Sequence, residues 1–327
     1  MQNIATTLSR TVAVIGTGGT IAGTAADASD NVGYRAAQLG AVELVAAIPA
    51  LAGMPIEVEQ LAQIDSKDMG FALWRALAER VAQQLGRPEV CGVVITHGTD
   101  TLEETAYFLQ RVLAPLKPVV LTAAMRPATA LLSDGPQNLL DAWRVARTPG
   151  ASGVVAVLAG TVRGAFDVRK RHTYRLDAFS SGDAGPIAHI EEGRLRQHRP
   201  WPQGQAIGLA RLPIDAASWP RVEVLMSHAG ADGRLVNVLR AAGVRGIVVA
   251  GTGNGSLHHA LEAALLEAQA DGIKVLRSTR CPQGGVIEAD ADVPTPLVRP
   301  GLPSAGSLTP AQARIELMLA LMPSVMT

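Results

Sequence analysis

"VAVIGTGGTIAG", residues 12–23, runs from an unbroken apolar stretch into glycines and sets out threonines at Thr17 and Thr20. Four apolar residues without polar alternation, closed by glycine, predict a strand buried on both faces, as in parallel sheets covered by helices. The glycines leave three uses open for the turn: a phosphate cradle, a tight turn, or a place where a hydroxyl is held out for chemistry. A dinucleotide fingerprint needs glycine at its first, third and sixth positions. Counted from Gly16, Gly18 fills the third but Ile21 stands at the sixth, and no Gly-Lys-Ser or Gly-Lys-Thr closes a P-loop. What remains is a strand followed by a loop that admits close backbone approach, with Thr20 just beyond it.

The same punctuation recurs along the chain. "VCGVVITHG", "PVVLTAAM", "GVVAVLAG", "VEVLMSHAG", "GIVVAGTG" and "KVLRSTR" read as strands, separated by helix-period stretches such as "DMGFALWRALAERVAQQLG", "TLEETAYFLQRVL" and "SLHHALEAALLEAQADG". Strands alternating with helices predict an α/β fold with mostly parallel sheets, in which ligands bind beyond the carboxyl ends of the strands. Residues 196–220 are proline-rich and aperiodic, the composition of an inter-domain connection. The expected organisation is a larger N-terminal α/β domain over 1–197, a linker over 198–219 and a smaller parallel-sheet α/β domain over 220–327.

Length and composition agree with two cores: 327 residues, 48% hydrophobic. The 29 basic and 29 acidic side chains cancel, so no net field favours nucleic acid or an anionic membrane, and a small zwitterionic partner fits better. Cys91 and Cys281, far apart beside apolar segments, read as buried thiols and not as a disulfide scaffold. No apolar run has the length of a membrane span. "MQNIATTLSR" carries no apolar signal segment, which predicts the cytoplasm, or the periplasm if a signal was removed.

Three further segments hold polar residues that could serve a site, two of them at strand ends. In "ITHGTDTLEETAYF", residues 95–108, Thr99 and Asp100 follow a strand; Asp100 or Thr101 also suits a helix cap. In "QIDSKDM", residues 63–69, Asp65 or Ser66 has the same capping alternative. "DVRKRHTYR", residues 167–175, is basic enough to be solvated surface, with one lysine reaching a site as the exception. His97 suits a structural hydrogen bond, and adjacent His258 and His259 point to different sides of a helix, which disfavours a shared metal.

"TGGTIAG" at 17–23 together with "VITHGTDTLEETAYF" at 94–108 resembles the two signature segments of the bacterial L-asparaginases and glutaminase-asparaginases. The likeness continues through "AMRPATALLSDGPQNL", "GTVRGAFDVRKRHTY", "STRCPQGG" and "LTPAQARIELMLAL", and its lid-loop style is nearest the type II-like members. The resemblance implies a nucleophilic Thr20, Tyr34 on a lid loop, and a catalytic cluster of Thr99, Asp100 and Lys170. It implies substrate contacts from Ser66, Lys67, Gly98, Thr99, Asp100 and Ala124: Ser66 for the α-carboxylate, Asp100 for the α-ammonium. It further implies a homotetramer of two intimate dimers, with Ser256 and Asp292 completing the neighbouring subunit's site.

A threonine hydroxyl is a weak nucleophile until a neighbour accepts its proton. Lys170, if burial favours its neutral form, and Tyr34, if it ionises or relays a proton, are the two alternatives, and the sequence leaves both open. The reading implied is an amidohydrolase without metal or cofactor. It converts L-asparagine to L-aspartate and ammonia through an acyl-threonine and acts more weakly on L-glutamine. Lys67 and Ser256 depart from residues common among the relatives; Lys67 is expected to weaken ammonium binding unless it turns outward, and Ser256 to alter acceptance of glutamine. Another amide as the preferred substrate, or amino-acid binding without catalysis, are the alternatives.

Overall fold

The computed structural model of the chain describes residues 10–288 and 301–323, which form two units divided between Leu209 and Ala210. The first unit begins β1 (Thr11–Gly18), α1 (Ala41–Ala46), β2 (Ile56–Ile64), α2 (Phe71–Leu85), β3 (Val90–Thr96), α3 (Leu102–Leu113), β4 (Val119–Thr122) and α4 (Gly135–Ala146). It continues through β5 (Val154–Leu158), β6 (Thr161–Gly164), the two-residue β7 (Arg169–Lys170) and β8 (Phe179–Ser180), and the hairpin of β9 (Ala188–Glu191) and β10 (Arg194–Gln197).

Eight of these strands make one sheet in the order β10-β9-β6-β5-β4-β3-β1-β2, parallel from β5 to β2 and antiparallel through β6, β9 and β10. The α/β class and mostly parallel sheet read from the sequence are thus present. β1, β4 and β5 are buried along their whole length, which is why they read as continuous apolar runs. β2, "IEVEQLAQI", is a half-exposed edge strand with polar positions throughout, so it forms no apolar run and only its end, at "QIDSKDM", was legible. α2 buries Trp74, Leu77, Ala78 and Val81 at helical spacing, and Trp74 stacks on Phe108 of α3 with ring centroids 4.8 Å apart. Such a pair contributes about 0.5–1.5 kcal/mol beyond its burial.

The strand order places the loops. From β1 the chain moves to β2 on one side, and from β3 to β4 on the other, so the order reverses between β1 and β3. At such a switch point the loops after the two strands diverge and leave a crevice. Thr20 follows β1, Thr99 and Asp100 follow β3, Ser66 follows β2, and Ala124 follows β4. Four adjacent parallel strands therefore deliver four of the expected loops to one edge of the sheet.

The second unit has β11 (Val222–Met226), α5 (Arg234–Ala241), β12 (Gly246–Gly251), α6 (His259–Ala270), β13 (Lys274–Thr279) and α7 (Pro310–Ala320). Its three strands are parallel in the order β11-β12-β13. Val236, Ile247, Val249, Leu261, Leu265 and Val275 form its core. α7 starts with a reciprocal cap between Thr309 and Gln312. Among the described residues no helix is long and apolar enough to cross a membrane.

Two expectations are corrected. Cys281 is exposed and Cys91 only partly buried, because Cys281 lies in the turn beyond β13 and not inside an apolar strand. His258 and His259 do not diverge: their rings stack at 4.4 Å, because His258 is the extended cap residue before α6 and escapes helical spacing.

Candidate active site

Of the two threonines in the opening loop, only one is free for chemistry. Thr17 Oγ1 donates to the Thr96 carbonyl at 2.9 Å and stitches β1 to β3. Gly18 and Gly19 then turn through φ of +102° and +85°, conformations that a side chain would strain. A Cβ at Gly19 would lie 2.4 Å from Gly98 Cα, and one at Gly98 would lie 3.2 Å from Gly19 Cα. The loops after β1 and β3 thus meet glycine to glycine, and the residues that follow are Thr20 and Thr99.

Thr20 opens a short 3-10 turn and is buried, with its Oγ1 2.7 Å from Tyr34 Oη. Tyr34 arrives on a hairpin closed by paired backbone hydrogen bonds between Thr24 and Arg35. Gly23 makes room for its ring: a Cβ there would stand 2.9 Å from Tyr34 Cδ2.

Lys170, on the short β7, donates from Nζ to Thr99 Oγ1 at 2.8 Å and to Asp100 Oδ1 at 2.5 Å. Its main-chain N–H donates to Glu103 at 2.6 Å, so the start of α3 holds it at both ends. Burial pushes the Glu103 carboxyl above its usual range, against the lowering effect of the Lys170 N–H. An ammonium only donates, so Thr99 accepts from Lys170 and its own hydrogen is left for another partner. By the same logic Ser66 Oγ accepts from the Asp100 N–H at 3.2 Å and keeps its hydrogen to donate, while Thr101 Oγ1 donates to the Ser66 carbonyl.

The capping alternatives resolve differently in the two loops. Neither Thr101 nor Asp100 caps α3, because Thr101 is spent on Ser66 and Asp100 on Lys170. Asp65 does cap the turn Ser66–Asp68. Lys67 lies largely exposed and pairs with Asp65 at 2.5 Å, which turns its charge back onto a carboxylate of its own loop.

His97 is fully buried and its tautomer follows from its neighbours. Nδ1 sits 2.7 Å from the Gly98 carbonyl, which only accepts, so Nδ1 carries the hydrogen. Nε2 then accepts from Thr105 Oγ1 at 3.0 Å, which in turn accepts from Trp74 Nε1 at 2.9 Å. Burial lowers the imidazole from 6.5 to about 4, so it stays neutral. The structural role expected for His97 is what this chain of bonds displays.

The loop after β4 docks on the first loop: Ala128 N–H donates to the Gly23 carbonyl and Ala25 N–H to Thr129 Oγ1. Ala124 is buried there. Asp134, just before the following helix, and Asn138 within it, which the sequence did not single out, bond to this loop; the "SDGPQN" stretch was the available signal. Ser256 lies in the second unit, exposed in the turn after β12 and bonded to Thr252 through both main-chain groups. Asp292 falls outside the described residues. No group of three or more potential metal ligands occurs among the described residues.

Thr20, Ser66, Thr99, Asp100 and Ala124 therefore sit on neighbouring loops of one sheet edge, with Tyr34 bonded to Thr20 and Lys170, from the β7–β8 hairpin, bonded to Thr99 and Asp100. They combine two touching hydroxyls, a lysine–carboxylate pair and a hydroxyl free to donate. Comparison with known proteins gives a consistent result. Residues 11–203 match the family described as "Asparaginase, N-terminal", and residues 221–324 match "Glutaminase/Asparaginase C-terminal domain". A Haemophilus influenzae protein named "Probable L-asparaginase periplasmic" is 37% identical over 95% of this chain and 88% of its own length. "L-asparaginase 2" of Escherichia coli is 35% identical over the same two shares, and a "Glutaminase-asparaginase" of Pseudomonas fluorescens is 35% identical over 95% and 86%. A crystal structure described as a probable cytoplasmic L-asparaginase from Campylobacter jejuni superposes with a TM-score of 0.87 at 37% identity, covering 95% of both chains.

Proposed function

The chain belongs to the asparaginase family, and on that premise we propose that it hydrolyses the side-chain amide of L-asparagine to L-aspartate and ammonia, with weaker action on L-glutamine. The observation that carries the reading is the 2.7 Å contact between the Thr20 and Tyr34 hydroxyls, beside the Thr99–Asp100–Lys170 cluster. Thr20 Oγ1 attacks the amide carbon and passes its proton to Tyr34 Oη, while the Tyr34 proton passes to the departing nitrogen. Ammonia leaves and an acyl-threonine ester remains. Water then attacks the ester, giving its proton to Tyr34 as Tyr34 returns one to Thr20 Oγ1, and aspartate is released. This relay needs no ionised tyrosine, and Tyr34 is favoured over Lys170 as the immediate acceptor because Tyr34 touches Thr20, whereas the lysine side chain bonds to Thr99 and Asp100.

The substrate's two charges have opposite partners. Ser66, with its hydrogen free, binds the α-carboxylate; Asp100, about half exposed beyond its bond to Lys170, takes the α-ammonium. The Ala124 main-chain carbonyl accepts from the amide nitrogen. Lys67 and Gly98 line the same loops, and in the assembled homotetramer Ser256 and Asp292 of a neighbouring subunit complete the site. Mass measurement in solution tests that assembly. The names of the relatives support both the periplasm and the cytoplasm, and cell fractionation separates the two.

Ammonia release from L-asparagine by the wild type, Thr20→Ala and Lys170→Met tests the reaction. Loss of an activated nucleophile is expected to lower turnover by about a thousandfold or more. Thr20→Ala at the wild-type rate overturns the mechanism, and a wild type inactive on asparagine and glutamine overturns the reaction.

A further inference from the structure

Asp134 occupies the position before α4 where a carboxylate commonly caps a helix, yet it makes no such cap. Its carboxylate turns back to the loop after β4 and accepts from the Met125 N–H at 3.1 and 3.0 Å and from the Arg126 N–H at 2.9 Å. Asn138, one turn along the helix, donates to Asp134 Oδ2 at 3.1 Å and to the Ala123 carbonyl at 2.9 Å. Its own carbonyl accepts from the Ala159 N–H at 2.9 Å, so the amide is locked in one orientation.

The peptide between Ala124 and Met125 is trans, as are all the described peptide bonds. In a trans peptide the N–H and the preceding C=O point in opposite directions. Fixing the Met125 N–H on Asp134 therefore aims the Ala124 carbonyl away from Asp134. Ala124 is buried, and among the described residues no hydrogen bond reaches its carbonyl oxygen. Leaving a buried carbonyl unmet is costly, and a ligand N–H relieves it. A Cβ placed at Gly135 would lie 3.0 Å from Ile21 Cγ1 and 3.5 Å from Ala124 Cβ, which puts Ala124 beside the residue that follows Thr20.

We infer that Asp134, held by Asn138, is a positioning residue that aims the Ala124 carbonyl at the substrate's amide nitrogen and so selects an amide over an ester or a carboxylate. The inference rests on the reaction proposed above. An amide nitrogen supplies a donor to this carbonyl; an ester oxygen or the product carboxylate supplies only lone pairs and is repelled.

The test compares L-asparagine with the β-methyl ester of L-aspartate, which presents the same carbonyl without an N–H. Asp134→Ala is expected to lower kcat/KM for asparagine by about tenfold or more while the ester changes by less than about threefold. Asp134→Asn, which keeps one acceptor oxygen, is expected to fall between, and it remains decisive if the alanine variant does not fold. General loosening lowers both substrates together, so an unchanged amide-to-ester ratio in the folded variants overturns the inference. A wild type inactive on both compounds overturns the proposed reaction instead.

Discussion

Gly98→Ala tests the packing of the two central loops. Gly98 does not adopt a positive φ, so alanine meets no backbone strain there and the effect is steric alone. The new Cβ would lie 2.5 Å from Ser66 Oγ and 2.7 Å from Ser66 Cβ. Rotation moves the hydroxyl but not Ser66 Cβ, which is 0.7 Å short of the 3.4 Å where ordinary contact begins. Ser66 is buried and tied by Thr101 to its carbonyl and by the Asp100 N–H to its hydroxyl, so the strain spreads into both loops. Overpacking of this kind costs about 1–3 kcal/mol. For a domain of this size that lowers Tm by roughly 3–10 °C. Moving reacting groups by a large part of an ångström costs about 10–100-fold in rate, so kcat is expected to fall much further than stability. Thermal denaturation and ammonia release on the same preparation measure both. A Gly98→Ala protein with wild-type Tm and kcat refutes the close packing of Gly98 against Ser66.

Two other outcomes follow from charge. His97 titrates at about 4 in the folded protein against 6.5 ordinarily, so the unfolded chain binds the extra proton first as pH falls. Stability is expected to decline by roughly 3 kcal/mol from about pH 6.5 down to about pH 4, with no contribution above that window. Denaturant midpoints across this range should be flatter in His97→Gln; equal slopes contradict the buried neutral imidazole. Lys67→Gln is expected to change KM for asparagine by less than about threefold, because the exposed ammonium is already paired with Asp65. A tenfold change in KM contradicts that pairing.

Much of the first unit was legible because buried parallel strands must be apolar on both faces. The runs ending near Gly16, Thr96, Thr122 and Leu158 became β1, β3, β4 and β5. The edge strand Ile56–Ile64 showed only its end, at "QIDSKDM", and the hairpin spanning 188–197 escaped, since exposed strands carry no such run. For the site, the two threonine loops stood out by composition, but the roles of their side chains did not. Asp100 and Thr101 looked equally suited to a helix cap, and neither side chain makes one.

The sequence by itself determined which strands are interior and which loops carry hydroxyls, because burial of both faces and the need for glycine at tight turns are local demands. Only the tertiary structure decided that Thr17 is consumed by Thr96, that Tyr34 meets Thr20, and that Lys170 meets Thr99 and Asp100. The tertiary structure alone also marked Asp134 as serving the Ala124 loop instead of its own helix. The physical reason is that a hydroxyl or carboxylate satisfies any suitably placed partner, and several of these partners lie some seventy or more residues away, brought near only by the folded chain.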